Sequence, residues 1–187
     1  MKNFFLSLVF CAIPFFAHSQ NASVEQSTYG IQSGILGLWF HNEAALSEEI
    51  ALRSELGFDT GLFAGSYYDN VGFLLAPVIS LEPRWYYNLN KRQRKSRRTD
   101  GNSGNFLSLK TSYHPDWFVI SNYDNISVAS DISIVPTWGI RRHLGDHFTY
   151  ETGIGFGYQY YLTGSSDFFE NKHDAAINLH LRIGYRF

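Results

Sequence analysis

Lys91, Arg92, Arg94, Lys95, Arg97 and Arg98 form the densest charge run in this sequence, holding six of its 15 lysines and arginines. Such a cluster chemically suits an anionic ligand such as a lipid phosphate or peptidoglycan. Charge runs are also commonly plain solvated loops, and that reading stands beside the first. Nucleic acid is not expected, because no aromatics interleave the run and the chain carries a formal charge of −2 with pI near 6.4. His143 and His147 stand four apart, as in zinc motifs, but that spacing aligns two rings only on a helix. Gly145 and Asp146 between them mark a turn, so no metal site is expected. Gly153, Gly155 and Gly157 alternate rather than forming a phosphate loop, and are expected to make room beside bulky interior neighbours. His114 and His180 could serve a hydrolase only with a serine and a carboxylate, and no such trio shows a recognisable spacing. No catalytic residue, cofactor or metal is therefore assigned.

The elements that would position these groups read as strands. Apolar residues recur with period two rather than 3.6. Ile177, Leu179, Leu181, Ile183, Tyr185 and Phe187 oppose Asn178, His180, Arg182, Gly184 and Arg186 without a break. The same design recurs over 50–64, 73–89, 105–114, 126–141 and 148–162, while 29–41 is blurred. Polar connectors are expected at 42–48, 65–72, 90–104, 121–125, 142–147 and 163–175. Pro77, Pro83 and Pro136 lie inside strand patterns, where bulges or strand ends are expected. Seven strands are convincing; an eighth is sought in 20–30 or across an unrecognised turn.

The apolar face holds too many Leu, Ile and aromatic side chains to fit inside an eight-stranded barrel. The polar face holds Arg53, Arg84, Lys110, Arg141, Arg182 and Arg186 against Glu55, Asp59, Glu82, Asp131 and Glu151. That near balance suits an enclosed interior, where an unpaired charge is costly. Trp85, Tyr87, Tyr158, Tyr160, Tyr185 and Phe187 gather toward segment ends on the apolar face, as membrane girdles do. The expected fold is all-β: a closed antiparallel up-and-down transmembrane β-barrel of eight strands, apolar face outward and ion network inward.

Residues 1–19 have the form of a cleavable secretory signal, with Lys2, the apolar stretch 4–17 and Ala17-His18-Ser19 before Gln20. Phe10 before Cys11 is a poor fit to a lipidation site. Residues 20–187 are then one cysteine-free domain. With this leader, the alternating strands and the closing 176–187 stretch, the chain resembles the small bacterial outer-membrane β-barrel proteins, the outer-membrane-protein-A/X-like and porin-like families. The resemblance implies the bacterial outer membrane, contact with its lipids and lipopolysaccharide, and Tyr185 and Phe187 as the signal that barrel-assembly machinery reads. It implies no particular activity. The expected role is non-enzymatic, structural or in surface interaction, with a plugged interior. A lipid-modifying enzyme, a small pore and a soluble lipocalin-like barrel remain as alternatives. Strand parity counted from Phe187 puts 163–175 outside and 90–104 inside the cell envelope, whereas loop length argues the reverse for 90–104.

Overall fold

Side chains alternate across a strand, and the β-branched and aromatic residues abundant here suit a half-covered pleated surface. The computed structural model describes residues 22–65, 70–162 and 172–187. It contains β1 (Ser27–Gly34), β2 (Gly37–Ala45), β3 (Ile50–Phe63), β4 (Gly72–Trp85), β5 (Asn105–His114), β6 (Ile120–Ser121), β7 (Asp131–Leu144), β8 (Phe148–Tyr161) and β9 (His173–Arg186). Between β4 and β5 lie a short helix α1 (Leu89–Gln93) and a 3-10 turn (Asp100–Asn102). The expected leader 1–19 lies outside the described residues, as does most of the 163–175 connector.

All nine strands are antiparallel members of one sheet, in the order β3-β2-β1-β9-β8-β7-β5-β4-β6, and a β3–β4 pairing closes it into a ring. Phe187 and residues 22–26 lie at one end, here termed proximal, where Phe187 N donates to Tyr29 O and Val24 N to Glu48 O. The turns 46–49 and 145–147 and the long segment 86–104 share that end. The opposite, distal end carries the β1–β2 turn, the segment 115–130, and residues 64–65, 70–71, 162 and 172.

The blurred segment 29–41 is two strands, not one. β1 turns into β2 through Ile35 and Leu36, with Gly34 opposite Gly37. Gly37 has φ +149, and a Cβ there would fall 2.0 Å from Phe58 O, so only glycine suits the position. Partners across this turn have opposite parity, so outward residues are odd-numbered in β1 (Tyr29, Ile31) and even-numbered in β2 (Leu38, Phe40). The hairpin is short, and its tip is level with Arg182 of β9 and Asp59 of β3.

Other expectations shift. Residues 42–45 belong to β2 rather than to a connector, and 126–130 precede β7 instead of extending it. The prolines neither end nor bulge a strand. Pro83 and Pro136 each lie in a two-pair gap of one ladder, with the register unchanged on both sides. Each lacks the N–H its neighbour would accept and nothing more. Beside Gly153 and Gly157 lies the backbone of β7 rather than bulky side chains, a Cβ meeting Trp138 O and Ile134 O within 2.6 Å, whereas Gly155 makes room for the Thr137 and Val135 side chains, with Thr137 Oγ1 at 2.3 Å.

The two faces of the ring are of opposite chemistry. Leu179, Leu181 and Ile183 are 47%, 45% and 64% exposed, while Arg182 between them is 5% exposed. Exposed large apolar side chains occur on every strand of the ring, and the enclosed face is mostly polar and charged. Aromatics collect outward at both ends, with Trp85–Tyr87 and Tyr185–Phe187 contacts proximally and Tyr158 and Tyr160 around His173 distally. The buried apolar cluster is small and sits proximally: Ala22, Val24, Ala51, Tyr86, Leu89 and Phe106. Leu89, expected outward, turns inward because α1 has left the strand direction.

Candidate functional site

β2, β3, β4, β7, β8 and β9 each direct charged side chains into the ring. Glu43 and Glu151 are the hubs. Glu43 accepts from Arg141 Nη1 at 2.8 Å, from Tyr86 Oη at 2.8 Å and from Asn102 Nδ2 at 2.5 Å, with Arg84 and Arg53 at 3.6 and 3.7 Å. Glu151 lies 3.2 Å from each of Arg53, Arg84 and Arg141 and accepts from Gln32 Nε2 at 2.9 Å. Arg84 also reaches Glu82 at 2.8 Å and lies 4.2 Å over the Phe106 ring. Arg53 passes the network on to Glu55 at 2.6 Å, which meets Arg182 at 2.7 Å and Lys110 at 3.5 Å. Arg182 in turn stacks 3.7 Å over Trp39.

Nine of the eleven charges that the sequence placed inside are buried: Arg53, Glu55, Glu82, Arg84, Lys110, Asp131, Arg141, Glu151 and Arg182. Asp59 and Arg186 are half-buried. They do not make one network. Asp59 and Asp131 belong to a separate distal cluster, each 3.1 Å from one ring nitrogen of His114, with Trp39 Nε1 donating to Asp59 at 2.7 Å. Arg186 belongs to a proximal pair with Glu25, at 2.8 Å.

Glu43, Gln32 and His41 are fully or almost fully buried members that sequence reasoning missed, and His180, which the alternation put on the enclosed face, is fully buried. The signal was the alternation of Trp39, His41 and Glu43 against Leu38 and Phe40, hidden because the parity change at 35–36 falls inside the segment.

The proximal end is closed by the chain itself. Gly101 N donates to Glu25, Glu25 N donates to Asn102 Oδ1 at 2.7 Å, and Asn102 reaches inward to Glu43. Asn102, Ser103 and Leu89 are buried beneath this cap.

The basic run divides. Lys91, Arg92, Lys95 and Arg97 line a groove of about 570 Å³ with Arg142, Tyr87, Asn88 and Asn105. Arg98 turns away, held by Asp100 at 2.7 Å and near Asp146 at 3.4 Å, and Arg94 is exposed outside the groove. The Arg98 guanidinium holds the Asp100 carboxyl below its ordinary value. Arg142, on β7, could not be joined to this run from its spacing.

His143 and His147 go to different neighbours: the His143 ring abuts Gly101, and His147 stacks on Tyr185 at 5.2 Å. Among the described residues, neither ring nitrogen of His114 meets a serine; Ser130 Oγ donates instead to the His114 carbonyl at 3.2 Å. Tyr185 is exposed against Phe148 and Phe187. No helix among the described residues is long and apolar enough to cross a membrane, which says nothing of its strands. Compared with known protein families, curated proteins and solved structures, the chain matches none.

Proposed function

We propose that this chain is an integral β-barrel protein of the bacterial outer membrane, non-enzymatic, with a plugged, ion-paired interior and a structural or surface-interaction role in the envelope. β5 and β6 pair successively along β4 and count as one stave interrupted at 115–119, which makes eight staves around the barrel. The observation that carries the reading is the inversion of the two faces: aliphatic and aromatic side chains outward on every strand, arginine–glutamate clusters enclosed. In water an apolar surface of this extent would drive association; against acyl chains it is the solvated surface. A closed ring is also one of the few backbones whose polar groups are satisfied in lipid.

Dimensions agree. β3, β4, β7, β8 and β9 have 14 residues each. At about 3.3 Å per residue and a tilt of about 40°, they rise roughly 35 Å, enough for an apolar band of about 25 Å with rims to spare. Strand parity then puts the proximal end, with Phe187 and residues 86–104, toward the periplasm. The length of 86–104 is accounted for by its folding back as the cap, not by projection outward.

The test is whether the chain folds into lipid vesicles, resists extraction by carbonate and migrates heat-modifiably on a gel. In planar bilayers the capped, ion-filled interior predicts no large stable conductance steps. Solubility without detergent would overturn the membrane reading; large steady conductance would overturn the plugged interior and make the protein a pore.

A further inference from the structure

Among the described residues, the groove at the proximal rim is where cations gather without counter-charge. No carboxylate lines it. Arg142 donates only to neutral acceptors, Gly104 O, Arg141 O and Asn105 Oδ1, at 2.6–2.8 Å. Arg92 donates only to the Arg98 carbonyl, and partial burial together with the Arg97 guanidinium pushes it down from its ordinary value. Arg98, in the same run, has two carboxylates. Like charges held this close are offset when an anion lies between them.

The groove is also continuous with the outward apolar face. Tyr87 lines it while its hydroxyl accepts from Trp138 Nε1 at 2.9 Å and its ring packs 5.8 Å from Trp85. Arg142 lies opposite Tyr150 across the β7–β8 ladder. Trp85, Tyr87, Trp138 and Tyr150 are all exposed. A ligand with acyl chains could lie on these rings and put its anionic head among the cations, which free phosphate could not exploit.

We propose that this groove is a binding site for the phosphate headgroup of an anionic phospholipid in the leaflet at the proximal end of the barrel. The proposal rests on the membrane reading above and deepens it. It assigns ligand contact to Lys91, Arg92, Lys95, Arg97 and Arg142, and leaves Arg94 and Arg98 out.

The experiment folds the full chain into nanodiscs of mixed phosphatidylglycerol and phosphatidylcholine and measures by native mass spectrometry which lipid stays bound. Phosphatidylglycerol should be retained preferentially. Each interfacial cation contributes about fivefold, so Arg92→Gln with Arg97→Gln should cut the preference by about 25-fold. Arg94→Gln should leave it unchanged. Because the arginine variants could disturb the cap, Lys91→Gln with Lys95→Gln, both at exposed positions, provides an independent reduction of the same size. Equal retention of the two lipids by a chain that has entered the nanodisc overturns this site and leaves the membrane reading standing. A chain that never enters overturns both. Complete displacement of the lipid by inorganic phosphate would show an anion site with no lipid component, and also overturns the proposal.

Discussion

Glu43→Gln removes one negative charge and almost no volume from one of the two hub carboxylates in the interior. Three guanidinium groups lie 2.8 to 3.7 Å from it, and Tyr86 and Asn102 donate to it as well. All of these groups are buried, so the cations it neutralises cannot turn to water. Removing one partner of a buried ion pair costs about 3–5 kcal/mol. The retained amide oxygen still accepts a hydrogen bond, which puts the expectation near the lower figure, about 3 kcal/mol. The assay is urea unfolding from lipid vesicles, followed by fluorescence of Trp39, which is buried under Arg182. With a slope near 2 kcal/mol/M, the midpoint should fall by about 1.5 M. Asp146→Asn is the control: Asp146 is 90% exposed beside Arg98, and solvent screening leaves such a pair little weight in stability. Equal midpoints for the two variants would refute the claim that Glu43 is an enclosed hub.

Gly139→Ala should destabilise by about 1–3 kcal/mol through overpacking, since its Cβ would fall 2.3 Å from Phe106 Cζ; the same unfolding assay checks it. Leu181→Arg, on the outward face of β9, should cost about 2–4 kcal/mol in a bilayer, whereas a water-facing site would tolerate it within about 0.5 kcal/mol. The lowered Asp100 carboxyl gives the cap a pH dependence. Its folded value lies below the unfolded value of about 3.9, so its contribution is complete above that value and is lost as pH falls through the folded one. Proteolysis within 86–104 should therefore rise in that acid window, and Asp100→Asn should already be sensitive at neutral pH.

The sequence made the outward face legible because outward and enclosed positions alternate without exception along β9, from Ile177 to Tyr185. Long antiparallel strands preserve that parity, so Arg53, Arg84, Arg141, Glu151 and Arg182 could be placed without coordinates. Parity changes across the two-residue reversal at Ile35 and Leu36, where Gly34 pairs with Gly37, although it is kept across the β7–β8 turn, where Leu144 pairs with Phe148. The Ile35-Leu36 turn has none of the polar residues that announce one, and it concealed both an additional strand and Glu43. Local pattern also says nothing about which buried charges meet. Asp59 and Asp131 join His114, and Arg186 joins Glu25, because of strand stagger around the ring. Tyr86 still keeps the alternation, but Leu89 turns inward where β4 has ended and α1 begins, a change of direction that period-two reasoning cannot register. The basic groove needed Arg142 from β7, about 50 residues further along the chain than the run it completes.

Two tryptophans offer the most direct test of which face meets lipid. Trp138 is 41% exposed on the outward side of β7, and Trp39 is 2% exposed inside the ring. In single-tryptophan variants folded into vesicles of lipids brominated on the acyl chain, Trp138 fluorescence should be strongly quenched and Trp39 fluorescence should persist. Quenching of Trp39 with Trp138 untouched, or of neither, would contradict the account.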